Sequence, residues 1–305
     1  MVMNFYDQIA ENKKMTYVLF GAFFLLIGVL AFLFSYLLGG FNIYGLTYFT
    51  IFGILTIIFA LISYFSCDSI VAAVSGAKEV SKDDYRQLYN VTEELSLAGG
   101  VPMPRIFVIN DSTINAFATG RDPEHAIICV TTGCLDRLTR DELQGVVAHE
   151  LSHIKNYDIR TMTIATVLVG VAVLLSDVLL RFTLFSRGSS DSRDNKLFIP
   201  LLIIAVLLAA LTPLIANLIK LSISRKREFM ADASAVELTR NPLGLANALE
   251  KISNDEEPLE AANKATAHMY ISDPLKNTKG MWFKNMFNTH PPIEERINAL
   301  KGIKN

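Results

Sequence analysis

His149-Glu150-Leu151-Ser152-His153 sets two imidazoles four residues apart, with a carboxylate between them. On a helix, residues i and i+4 share a face, so both rings reach a common point and offer nitrogen donors to one metal ion. Glu150 stands beside that point, where it can take a proton from a water held by the ion. The reading requires a helix, and Thr139-Arg140-Asp141-Glu142 supplies its start. A threonine followed three residues later by glutamate is a capping box, in which each side chain satisfies the other residue's backbone N–H. Leu143, Val146, Val147 and Leu151 then give the helix an apolar face.

Zinc hydrolases use three protein ligands and an open fourth position. Glu228 is the best third ligand. His153 lies eight residues before Thr161, where an apolar run begins, and Glu228 lies eight residues after Lys220, where another ends. Two helices leaving a bilayer side by side would bring both residues to the same height, roughly 12 Å from its boundary. Asp232, one helical turn past Glu228, is placed to accept a hydrogen bond from a ligand imidazole and so fix its tautomer. The competing reading makes Glu228 and Asp232 surface charges paired with Arg225 or Arg227.

Around this motif the chain is apolar. Of 305 residues 51% are hydrophobic, and mean hydropathy is +0.35, which favours a membrane protein over a soluble domain. A net charge of −2 gives no sign of nucleic-acid binding. Cys67, Cys129 and Cys134 are odd in number and lack C-x-x-C spacing, so neither a disulfide framework nor a zinc ribbon is expected. Residues 17–38 and 46–66 carry no charge and are each long enough to span a bilayer; Gly39-Gly40-Phe41-Asn42 turns between them. Residues 161–180, interrupted only by Asp177, and 197–219 form a second apolar pair, separated by a polar loop.

The expected organisation is a tail and transmembrane hairpin over 1–66, a first soluble half over 67–160, a second transmembrane pair over 161–219 and a second soluble half over 220–305. The soluble halves read as a helix over 83–97, strands over 105–109 and 126–131, the motif helix, and helices through 238, over 242–252 and over 293–300. The motif helix is free to run straight on into the third apolar run. Basic residues at 13–14, 155–160 and 220–227 put both halves on the cytoplasmic side, against four more in the 181–196 loop.

His149-Glu150-Leu151-Ser152-His153 with Glu228-Phe229-Met230-Ala231-Asp232, set between apolar spans, resembles the HtpX group of the M48 membrane metalloproteases. Asn115-Ala116-Phe117-Ala118-Thr119-Gly120, Thr289-His290-Pro291-Pro292 and Glu295-Arg296 extend the resemblance over nearly the whole chain. It implies a mainly α integral membrane protein of about four transmembrane helices with an α+β zincin-like (gluzincin) protease domain. It implies one zinc ion per chain on His149, His153 and Glu228, with Glu150 as general base. It further implies a multi-pass endopeptidase of the cell inner membrane, active site facing the cytoplasm, acting on misfolded or damaged membrane proteins or unfolded polypeptides.

Other residues stay open at this point. His290, in a rigid extended segment, is either an oxyanion donor or a turn histidine. Arg296 anchors that segment, polarises a substrate carbonyl, or lies on the surface. Asn115, Ala116, Phe117 and Ala118 read as a loop leading into the second strand, an exposed edge on which a peptide substrate would add as a strand. His125 and His268 read as ordinary loop residues, Asp177 and Arg181 as a local ion pair, and Trp282 as core or a headgroup contact. The rival functions are a prenyl-protein (CAAX-type) protease and a catalytically inactive scaffold that keeps the metal. The intact Glu150 argues against the second, because a structural zinc site needs no base. The sequence gives no oligomeric state.

Overall fold

The computed structural model describes residues 42–164, 225–260, 266–272 and 291–303, with 14–21 and scattered other positions. Most of the first apolar run, residues 165–219 with Asp177 and Arg181, and residues 275–290 with Trp282 and His290 lie outside the described residues.

The second apolar run forms one helix, α1 (Ile43–Phe65). Asn42 starts it: its side-chain oxygen accepts from the N–H groups of Tyr44 and Gly45 at 3.0 and 3.2 Å. The exposed side chains of α1 are large and apolar, among them Ile54, Leu55, Ile57, Ile58, Leu61 and Ile62. Counting the described residues alone, no helix is long and apolar enough to cross a membrane. In α1 the side chains at 52, 56, 59 and 60 fall outside that count.

After α2 (Cys67–Val74) comes a four-stranded sheet of β1 (Lys78–Glu79), β2 (Arg105–Ile109), β3 (Ala116–Gly120) and β4 (Ala126–Thr131), in the order β1-β2-β4-β3. The β2–β4 pair is parallel and the other two are antiparallel, with Phe107, Cys129 and Phe117 in one row across the sheet. Both faces are covered. Ile106, Val108, Ala118, Ile128 and Val130 pack on the helices, while Phe107, Ile109, Phe117, Ile127 and Cys129 pack on Val71, Met162, Met269 and Tyr270. Strands buried on both sides read as continuous apolar runs, which is how β2 and β4 are legible in the sequence.

Residues 116–120 are therefore a strand, not the expected loop, and the second expected strand, β4, is interior rather than an edge. The edge is β3, and it is not bare. All five of its residues are buried, Ile271 donates its N–H to the Ala116 carbonyl at 2.9 Å, and Gly120 donates its own to Thr163 Oγ1 at 3.1 Å. Short Ala, Thr and Gly side chains with no alternation hide such a strand from a pattern reading.

Five helices complete the domain against the sheet: α3 (Arg86–Gly99), α5 (Arg140–Lys155), α6 (Arg225–Thr239), α7 (Pro242–Asn254) and α8 (Ile293–Lys301), with the short α4 (Thr132–Arg137) between β4 and α5. Gly100 ends α3 in the left-handed region at φ +62°. The capping box of α5 is complete: Thr139 donates its N–H to the Glu142 carboxylate at 2.7 Å, and Glu142 donates its own to Thr139 Oγ1 at 3.4 Å. Asn241 caps α7, accepting from Gly244 N–H at 3.1 Å, with Pro242 in the first turn. Core residues from 88–159 and 235–300 form one cluster, with α5 at its centre.

The helix carrying the motif does not run on as expected. It ends at Lys155, the chain turns through Asn156 and Tyr157, and a new helix covers 158–164. Tyr157 takes φ +60°, a left-handed conformation that breaks the helical path.

α5 and α7 approach closely at glycines. A Cβ on Gly145 would stand 2.6 Å from the Leu245 backbone nitrogen, and one on Gly244 would stand 2.6 Å from the Asp141 carbonyl oxygen. Gly145→Ala is expected to cost about 1–3 kcal/mol, the usual range for overpacking, read as a lower denaturant midpoint of the purified protein. A midpoint equal to the parent's would mean that the two helices separate freely.

Candidate metal centre

His149 and His153 point from one face of α5 toward Glu228 in the first turn of α6. The His149 and His153 Nε2 atoms are 3.2 Å apart, and each lies 3.6 Å from a Glu228 carboxylate oxygen. All three donor atoms fall within 4.8 Å of one another, and all three residues are buried. A tetrahedral ion with bonds of about 2.0–2.1 Å needs donors about 3.3 Å apart, so two imidazoles and a carboxylate at these distances suit zinc. A second grouping, half-buried Asp122 with exposed Glu124 and His125, lies at the surface; His125 Nδ1 lies 2.6 Å from Asp122 within one short turn.

Each imidazole is held from behind. His149 Nδ1 lies 2.9 Å from Asp232 Oδ1. Arg296 grips that same carboxylate with two donors, Nε to Oδ2 at 2.8 Å and Nη2 to Oδ1 at 2.6 Å, and gives Nη1 to the Ile271 carbonyl at 3.2 Å. Arg296 has 0% exposure. On the other ring, His153 Nδ1 lies 3.0 Å from Asp158 Oδ2, and Asp158 Oδ1 lies 3.6 Å from Arg227 Nε. The surface-pair reading of Glu228 and Asp232 is overturned: they are 1% and 3% exposed, and the cation on Asp232 is Arg296 from α8.

Sequence reasoning missed Asp158 and Arg227. Asp158 lies just beyond the end of α5, across a turn that only the left-handed Tyr157 makes possible. A carboxylate immediately after the motif helix is the one signal available.

Electrostatics separate the two rings. Burial and the nearby Arg296 charge push His149 down to about 4, despite Asp232. Burial also works against a charged His153, but the Asp158 hydrogen bond and the Glu228 charge outweigh it and raise it to about 9. Burial alone would raise Asp232, yet Arg296 brings it down to about 2. Glu150 is 2% exposed, next to His149 and one turn from His153 on α5.

Residues 82–304 match the model of peptidase family M48. The chain belongs to peptidase family M48. It is 45% identical over 304 residues to a "Protease HtpX homolog" of Dictyoglomus thermophilum, covering 97% of this chain and 94% of the relative. Equally named proteins of Thermoanaerobacter pseudethanolicus and Streptococcus pneumoniae are 42% identical over 301 residues and 44% over 303, each across 98% of this chain and 97% and 99% of theirs. The crystal structure of S. mikatae Ste24p aligns with a TM-score of 0.49 at 19% identity, over 96% of this chain and 66% of that one.

Arg296→Met leaves the Asp232 carboxylate buried without its guanidinium. Breaking a buried pair from one side costs about 3–5 kcal/mol, so unfolding of the metal-free protein, measured with chelator present, should fall by that amount. A loss near zero would show that Asp232 is not relying on Arg296.

Proposed function

We propose that this M48 peptidase is a membrane-anchored zinc endopeptidase that hydrolyses unfolded or damaged membrane proteins. One observation carries the reading: two imidazole nitrogens and a carboxylate oxygen, all buried and all within 4.8 Å of one another, on helices that also carry Glu150. His149, His153 and Glu228 would hold a zinc ion, which would supply Lewis acidity and bring the pKa of water near 7. Glu150 then takes the proton of the attacking water on its carboxylate and returns it to the leaving amine nitrogen of the scissile peptide. Asp232 holds the Nδ1–H of His149, which keeps the Nε2 lone pair turned toward the ion. Arg296 is a positioning residue, fully buried, acting through Asp232 and lying 3.4 Å from the His149 ring and 3.8 Å from Glu228. His290 belongs to the proposal only as the oxyanion donor of the resembled family. β3 is the candidate peptide-binding edge through Ala118, whose outward backbone lies between the Ile271 and Thr163 contacts.

The uncharged, apolar α1 supports membrane insertion, and the proposal keeps about four spans, with residues 67–160 and 220–305 together on the cytoplasmic side. Glu150 disfavours a silent scaffold.

Hydrolysis of an unfolded membrane protein by the purified enzyme should stop with chelator and return with zinc. Glu150→Gln should keep zinc and lose turnover, because an amide accepts no proton; normal turnover would sink the base assignment. Glu228→Ala should lose zinc, and parent-like binding would place the third ligand elsewhere. For topology, Ser253→Cys, at an exposed position in the last turn of α7, in a chain without Cys67, Cys129 and Cys134, should resist an impermeant thiol reagent until cells are opened. Its labelling in intact cells would reverse the orientation.

A further inference from the structure

We propose that Asp158 and Arg227 form a second positioning relay, behind His153, that matches the Asp232–Arg296 relay behind His149. The inference rests on the metal reading above. It starts from a parallel in the geometry. Both motif histidines turn Nε2 toward Glu228, and both have a buried carboxylate on Nδ1, at 2.9 Å for Asp232 and 3.0 Å for Asp158. Each carboxylate also has a buried guanidinium against it, Arg296 for Asp232 and Arg227 for Asp158, although Arg296 in addition lies 3.4 Å from the His149 ring itself.

The two oxygens of Asp158 divide the work. Oδ2 faces the imidazole and Oδ1 faces Arg227. An acceptor on Nδ1 holds the proton there and leaves Nε2 as the lone-pair donor, the tautomer a metal ligand needs. Arg227 offsets the charge of a carboxylate that is 2% exposed. Placement adds a second effect. Asp158 immediately follows the turn that ends α5, and Arg227 immediately precedes Glu228 on α6. Their contact therefore ties the end of the helix bearing two donors to the start of the helix bearing the third. At 3.6 Å the Arg227 contact is looser than the two-pronged Arg296 grip, so Arg227 contributes less than Asp158.

The test is zinc affinity of the full chain in detergent, by competition with a chromophoric chelator, beside thermal unfolding of the metal-free protein. Asp158→Ala should bind zinc about 10–100-fold more weakly, and Arg227→Ala should lose less. Asp158→Asn, whose amide oxygen still accepts from Nδ1–H, should fall between Asp158→Ala and the parent in zinc affinity, even though loss of the buried charge lowers the stability of the metal-free protein. A purely structural role would make the affinities follow the stabilities. Parent-like affinity in Asp158→Ala, or Asp158→Asn as weak as Asp158→Ala, would overturn the relay. If Asp158→Ala does not fold, Asp158→Asn decides: weaker zinc on an intact fold supports the relay, and parent affinity overturns it. A parent that binds no zinc would remove the metal reading itself, a result distinct from either.

Discussion

The Arg296–Asp232 pair is the interaction on which the site's geometry depends. Arg296 comes from the last helix, Asp232 from α6, and the ring they hold from α5, so three separate segments meet in one buried charge network. Burying ions is costly, several kcal/mol each, unless partners and hydrogen bonds are nearly complete. Here, among the described residues, four buried carboxylates, Glu150, Asp158, Glu228 and Asp232, stand against two buried guanidiniums, Arg227 and Arg296. Two carboxylates are thus in formal excess, an environment suited to a divalent cation. The same surroundings raise His153, through the Asp158 hydrogen bond and the Glu228 charge, against the effect of its burial.

The turn after α5 links this network to the apolar helix α1. Two residues beyond Asp158, Arg160 donates to the Tyr64 hydroxyl at 3.0 Å and lies over its ring. Arg121, just past β3, donates to the Phe65 carbonyl at 2.8 Å and sits over the Phe65 ring. The last carbonyls of a helix lack intrahelical partners, and a guanidinium both satisfies one and suits the negative end of the helix dipole. The end of α1 is thereby fixed against the edge strand on one side and against the turn behind His153 on the other.

Much of this was legible because the decisive signals are local. A Thr-x-x-Glu box acts within one turn of chain, and α5 begins where it stands. The histidine spacing needs only the pitch of a helix. Glu228 was reachable by a height argument, since its helix and that of His153 flank apolar runs. β3 was hidden because burial on both faces erases alternation and four of its five side chains are small. Arg296 kept three readings because its partner lies on another element, and nothing near it in the sequence says that a buried carboxylate waits there.

Asp158 marks the boundary of what the pattern can say. A helix that continued past Lys155 would carry residue 158 around its axis, about 100° per residue, and away from the face that bears His153. Tyr157, in the left-handed region, stops that rotation and returns the chain so that the next carboxylate faces the imidazole from behind. For a bulky residue this conformation costs on the order of 1 kcal/mol or more, and it persists only where the surroundings impose it. Here the surroundings are the helix over 158–164, pinned by Met162 and Ile164 in the second core and by the Thr119–Thr163 hydroxyl contact at 2.7 Å. Packing on the far side of the sheet therefore holds the turn, and the turn aims Asp158 at the His153 imidazole.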